Sequence, residues 1–188
     1  MNTANLIDYL GRVLRDYEQL LNQSSIRESV LQTYLQTHRI LLDPSARAVH
    51  PKVELGAEYV TDFIIETYDG SYKLVEIEKP TDRLYLKNGD PSSALTHAEQ
   101  QVLDWGGWVR RNIAYIRSEA HLMMSEPEGL VVIGLRSRLN ADEIRRLAER
   151  NLSLRGCLQI VTFDDLSLRL NQLIDNMVQQ VIAATNSQ

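Results

Sequence analysis

Residues 59 to 79 read as an antiparallel hairpin, and the length of its turn decides which side chains can meet. The first strand is Tyr59-Val60-Thr61-Asp62-Phe63-Ile64-Ile65-Glu66, the turn lies at Tyr68-Asp69-Gly70, and the return strand is Tyr72-Lys73-Leu74-Val75-Glu76-Ile77-Glu78-Lys79, followed by Pro80. Side chains alternate along a strand, so Glu76 and Glu78 share a face and Lys79 points away. Two registers are open for Asp62. A two-residue Asp69-Gly70 turn pairs Asp62 with Ile77 and puts Glu76 on the opposite face. A three-residue loop gives Gly70 the left-handed position of a G1 bulge and sets Asp62 directly across from Glu76. Only the second register gathers carboxylates for a divalent cation.

A chain of 188 residues fits one domain with a short appended piece. No segment is long and uncharged enough to span a bilayer, so no membrane association is expected. The opening residues, Met1-Asn2-Thr3-Ala4-Asn5-Leu6, lack the basic and apolar regions of a signal peptide. Cys157 is the single cysteine; it sits in an apolar run, where a buried small hydrophobe is expected. These features point to the cytoplasm. The net charge of −5 argues against a protein that grips nucleic acid with its whole surface, but it leaves room for a local basic groove.

Apolar residues from Leu6 to Leu21 recur at helical spacing. Ser25-Ile26-Arg27-Glu28 has the form of a capping box and opens a second helix that carries Val30, Leu31, Tyr34, Leu35, Leu41 and Leu42 to Asp43-Pro44. Leu55-Gly56-Ala57-Glu58 suggests a helical turn. Asp90 as N-cap with Pro91 at the first position predicts a long helix through Leu95, Ala98, Val102, Trp105, Val109 and Ile113. Buried strands are expected at 129–135 and 157–163, with a helix between them opened by the box Asn140-Ala141-Asp142-Glu143. Asp164-Asp165 caps a last helix. This order predicts an α/β fold, a mixed sheet flanked by helices, in which the strand–helix–strand units make right-handed crossovers. Residues 1–44 form an N-terminal helical extension and residues 45–188 the main domain.

Magnesium takes oxygen ligands and keeps several waters, so one or two carboxylates plus a substrate phosphate suffice. Asp62 and Glu76 on adjacent strands would fill that role. Glu78, one pleat along, could ligate a second ion or orient a water, and Glu58 could reach in from before the strand. The plain alternative is a wet hairpin face that happens to be acidic, since two glutamates with one residue between them form a weak pattern.

The hairpin and its surroundings resemble the PD-(D/E)xK nuclease superfamily, and specifically the Shedu family of bacterial anti-phage nucleases. The likeness is carried by Glu28–Leu35, by Leu55–Phe63, by Leu74-Val75-Glu76-Ile77-Glu78-Lys79-Pro80, by Thr96–Trp105, and by the late segments Val132-Ile133-Gly134 and Thr162–Leu166. The resemblance implies a restriction-endonuclease-like fold and magnesium-dependent hydrolysis of DNA phosphodiesters, with manganese as a substitute ion. Asp62 matches the aspartate of the motif, Glu76 its first glutamate, and Gln101 a helix glutamine that follows the core motif in related nucleases. Two positions depart from the pattern. Thr61 stands where the motif has proline, and Glu78 stands where it has lysine, although some restriction endonucleases of the superfamily carry glutamate there. Lys79 could substitute only if a bulge before Pro80 turned it round.

The expected catalytic set is therefore Asp62, Glu76, Glu78 and Gln101, with Asp62 and Glu76 as metal ligands. Arg83, Lys87, His97, Arg110 and Arg111 flank the acids in sequence and are the candidate nucleic-acid contacts, although each taken alone reads more readily as an ordinary solvated side chain. Arg145, Arg146 and Arg150 alternate with acids and read as an ordinary exposed helix face, while Trp105 and Trp108 read as core. The family resemblance also implies a homo-oligomer, for which Leu6, Leu10 and Val13 could supply a surface or, equally, pack inward. Two rivals remain: a catalytically silent module of the same fold used for DNA binding or assembly, and an RNA-directed nuclease.

Overall fold

Short runs of branched and aromatic residues form the strands. In the computed structural model, which describes residues 3–23 and 26–186, these are β1 (Ala46–Pro51), β2 (Glu54–Leu55), β3 (Tyr59–Val60), β4 (Phe63–Thr67), β5 (Tyr72–Ile77), β6 (Glu128–Val132) and β7 (Leu158–Val161). Five of them make one sheet in the order β1-β4-β5-β6-β7, and β2 pairs with β3 in a small separate ribbon. The β1–β4 and β4–β5 pairs are antiparallel, whereas β5–β6 and β6–β7 are parallel. The sheet is thus mixed, as expected.

The helices are α1 (Thr3–Leu21), α2 (Glu28–Thr37), α3 (Ser93–Arg111), α4 (Ile113–Ser118), α5 (Ala141–Ser153) and α6 (Phe163–Asn186). Two compact units result, Ser45–Phe163 and the combination of Met1–Pro44 with Asp164–Gln188. In the larger unit α3 and α5 cover one face of the sheet. Leu95, Ala98, Val102 and Trp105 of α3 and Leu147 of α5 share a buried cluster with Ile64, Leu74, Val131 and Ile160 of the strands. In the smaller unit the Tyr17 and Tyr34 rings stack at 5.9 Å, and Tyr34 donates to the Val13 carbonyl at 2.9 Å. Leu10 and Val13 are buried, so that stripe of α1 serves packing rather than a free surface.

Several local expectations change. Residues 45–58 hold β1 and β2, and residues 56–58 form the turn of the β2–β3 ribbon instead of a helical turn. The second helix stops at Thr37 and gives way to a 3-10 turn at Arg39–Leu41. Ser25, the expected cap of α2, lies outside the described residues; Arg27 occupies the N-cap position and makes no side-chain cap bond. The N-cap of α3 is Ser92, whose hydroxyl accepts from Leu95 N at 3.1 Å. Asp90 cannot serve, because it closes its own turn by accepting from Asn88 Nδ2 at 2.7 Å, and Pro91 bridges to Tyr85. The box at Asn140 forms as expected, with both reciprocal bonds present. Cys157 is exposed, held in the turn before β7 by its N–H bond to Leu154 O at 2.9 Å.

Arg150 is also more than a solvated charge. Its guanidinium donates two bonds to the buried carboxylate of Glu99, which joins α5 to α3. Removing one partner leaves a carboxylate in the interior with its charge uncompensated. Arg150→Ala is expected to cost about 2–4 kcal/mol in urea unfolding at neutral pH. The double change with Glu99→Leu should recover most of it.

Candidate active site

The turn decides the register. Phe63 pairs with Val75, Ile64 with Leu74, Ile65 with Lys73 and Glu66 with Tyr72. Thr67 N donates to Ser71 O at 3.0 Å, which leaves Tyr68, Asp69 and Gly70 as a three-residue loop with Gly70 at φ +82°. Continuing that ladder by one pair places Asp62 opposite Glu76. The acids therefore lie in the arrangement that only the longer turn allows.

Asp69 holds this loop. Its carboxylate accepts from the Thr67 hydroxyl and from Ser71 N, the latter at 3.0 Å. Those bonds, the Thr67 hydroxyl first, pull its pKa from 3.8 down to about 2.

Asp62 is itself a buried acid, 6 % exposed. Its Oδ2 accepts from Ile77 N at 2.8 Å, which ties the end of β4 to β5, and its Oδ1 meets Lys52 Nζ at 2.5 Å. Lys52 follows directly on β1, where Pro51 pairs with Phe63, and its N–H donates to Asp62 O at 3.0 Å. The same row of the sheet thus carries Lys52, Asp62 and Glu76 in turn. Lys52 adopts φ +50°, unusual for a side-chain-bearing residue and the kind of local strain that clusters at functional sites.

Thr61 explains its own departure from the motif. It is fully buried and its N–H donates to Val53 O at 3.0 Å, a bond that proline cannot make. Glu76 and Glu78 are half-buried. The parallel ladder runs regularly from Lys73–Glu128 to Ile77–Val132 and continues through Glu78 N to Val132 O at 2.9 Å. Without a bulge there, alternation keeps Lys79 off the acidic face, and its side chain is exposed. Glu58 has another engagement, accepting from Trp108 Nε1 at 3.2 Å.

Gln101 lies at the edge of the buried stripe of α3 and is half-buried. Glu99 marks the flank of α3 that faces α5. At the angular step of an α-helix Gln101 sits on the other flank, on the side of β5. His97 and Arg111 fall on that flank too, both exposed. Arg110 does not join them: it points to the opposite flank, where it lies 3.9 Å from Glu126. Arg83 and Lys87 are exposed in the loop between β5 and α3 and line a separate pocket. Trp105 and Trp108 are core, as expected.

The donors that could take a hard cation are Asp62 and Glu76, a carboxylate pair on neighbouring strands. Among the described residues no group of three or more acids, histidines or cysteines is placed to hold a metal ion. Two carboxylates are enough for magnesium, which fills its remaining positions with water and substrate oxygens. The Lys52 ammonium on Asp62 shows that a positive charge is already accommodated at this carboxylate. Lys52 was not legible as a site residue because β1 itself was not read; with β1 in place, the register points directly to it.

A family model described as "Shedu protein SduA, C-terminal" matches residues 25–167. The chain belongs to this family. No curated protein matches the Shedu chain. The matched segment takes in every strand and the whole row Lys52, Asp62 and Glu76.

The Asp69 bonds carry a pH signature. A carboxylate whose pKa is depressed in the fold stabilises it fully above the unfolded value of 3.8, and that contribution is lost as pH falls through about 2. Thermal melts of wild type and Asp69→Ala should differ by a constant gap above about pH 5, with the wild type more stable. The gap should shrink as pH approaches about 2. A gap that stays constant down to that pH would mean that the ionised carboxylate does not hold the turn.

Proposed function

We propose that this Shedu chain is a metal-dependent DNA endonuclease of restriction-endonuclease-like fold that acts in anti-phage defence. The observation that carries the reading is the hairpin register, which puts Asp62 across from Glu76 and beside Lys52. Family membership supports the defence role.

Asp62 and Glu76 would hold magnesium, or manganese in its place. The bound ion would polarise the scissile phosphate and lower the pKa of the attacking water. Asp62 is well suited as a ligand because its bond from Ile77 N and its burial fix the carboxylate before any ion arrives. Lys52 supplies, from the neighbouring strand, the positive charge at the phosphate that a lysine at position 78 would bring. Glu78 then orients the water and accepts its proton, and Gln101 donates from α3 to a phosphate oxygen. His97 and Arg111, on the Gln101 flank, track the DNA backbone. Self-association would place several such sites along one duplex, through a surface other than the buried Leu10 and Val13.

Cleavage of linear and supercoiled DNA with added magnesium tests this. Wild type should cut only with the metal. Glu76→Ala should abolish cutting, and Lys52→Ala should slow it by about 10²–10³-fold, the range for removing one group that stabilises transition-state charge. Tight DNA binding with no cutting under any condition would instead favour the silent module. Cutting switched on only by Glu78→Lys would identify the natural glutamate as the reason.

A further inference from the structure

A cavity of about 710 Å³ opens between the loop that follows β5 and the segment from the end of β6 into α5. It sits beyond the carboxyl ends of two parallel strands, the position where open α/β sheets take ligands. Its volume falls within the usual range for small-molecule sites, about 300–1,000 Å³.

Four cations line it: Arg83, Lys87, Arg138 and Arg146. The three acids on its wall are already engaged. Asp82 accepts from Lys79 N at 3.3 Å, Glu143 from Asn140 N at 2.8 Å, and Asp142 pairs with Arg145 at 3.0 Å. Among the cations only Arg138 has a hydrogen bond, to Pro80 O at 3.4 Å. Arg83, Lys87 and Arg146 make neither hydrogen bond nor ion pair among the described residues. The four cations of the wall outnumber its three acids, and among the described residues Arg83, Lys87 and Arg146 have no carboxylate of their own.

A second observation is independent of charge. Tyr85 also lines the cavity and is 4 % exposed, yet its hydroxyl has no hydrogen-bond partner. Buried polar groups without partners are rare in native proteins and call for an explanation. Burial raises the phenol's pKa, so it remains a proton donor at neutral pH. The wall is also preformed. Leu86 N donates to Asp90 O at 2.8 Å and Ser92 N to Leu84 O at 2.9 Å, and the Arg146 guanidinium lies so close on Gly89 that a Cβ there would fall 2.7 Å from its Cζ. Leucines complete the lining, so the cavity offers an apolar surface beside the cationic one.

We propose that this pocket binds a free nucleotide, with its phosphates on Arg83, Lys87, Arg138 and Arg146, the Tyr85 hydroxyl donating to it, and its base against Leu86 and Leu139. Guanidinium groups match phosphate oxygens in pairs, and the unpaired phenol gains the acceptor that it lacks. A concave pocket of this volume matches the size of a small ligand, whereas a duplex backbone would need a longer track. The proposal is independent of the nuclease reading, because none of these side chains belongs to the acidic row.

Calorimetric titration of the full chain in magnesium-free buffer with ATP, inorganic phosphate and a short DNA duplex tests it. ATP should bind at one site per chain and raise the melting temperature. Arg146→Glu should remove that binding. Tyr85→Phe should weaken it about tenfold, the effect of one hydrogen bond to a charged acceptor, while leaving the melting temperature of the free protein unchanged. No ATP binding by wild type would overturn the proposal, as would ATP binding that both variants retain. Inorganic phosphate binding as tightly as ATP would reduce the pocket to a simple anion site. Duplex binding lost in Arg146→Glu without any ATP binding would assign the cations to a nucleic-acid surface instead.

Discussion

An aspartate at the end of a strand can reach only what the neighbouring strands set beside it, and here both neighbours are fixed by backbone pairing. The β1–β4 ladder brings Lys52 to Asp62, and the β4–β5 ladder brings Glu76 to its other side. One residue more or less in the Tyr68-Asp69-Gly70 loop would turn every side chain of β5 to the opposite face. The carboxylate of Glu76 would then leave the site, and Leu74 would leave the core beneath α3. The core and the acidic row thus depend on the same register.

The helices add a second level of positioning. The buried stripe of α3 sits on β5 and β6, and the Glu99–Arg150 pair clamps one flank of that helix to α5. Gln101 is thereby held on the other flank. The rotation of α3 about its own axis is set by residues that take no part in the proposed chemistry, so the supporting helix residue owes its place to an ion pair on the far side.

Much of this was readable in the sequence for a physical reason. Alternation in 72–77, the Gly70 turn and the Asn140 capping box are local signals, each decided within a few residues, and each formed as expected or within the offered alternatives. The misreadings have physical causes as well. β1 has no clean alternation, because Arg47, His50 and Pro51 interrupt it, and its pairing with β4 makes it a strand. Asp90-Pro91 looked like a helix start, yet Asp90 was taken by its own turn and Ser92 capped instead. Lys52 depends on a long-range pairing, which no local spacing encodes. The candidate residues on and beside β4 and β5 follow from the chain alone; the one beside β1 does not.

Asp62 fills two offices at once. One oxygen faces the cation of Lys52, while the other closes the sheet where β4 stops pairing, through the backbone of Ile77. A lineage without the proposed chemistry would still need that stitch. The aspartate would then persist through descent for the sheet alone, whereas Lys52 and Glu76 would be free to drift. Among relatives, the fate of those two side chains would separate the structural role of Asp62 from the proposed chemistry.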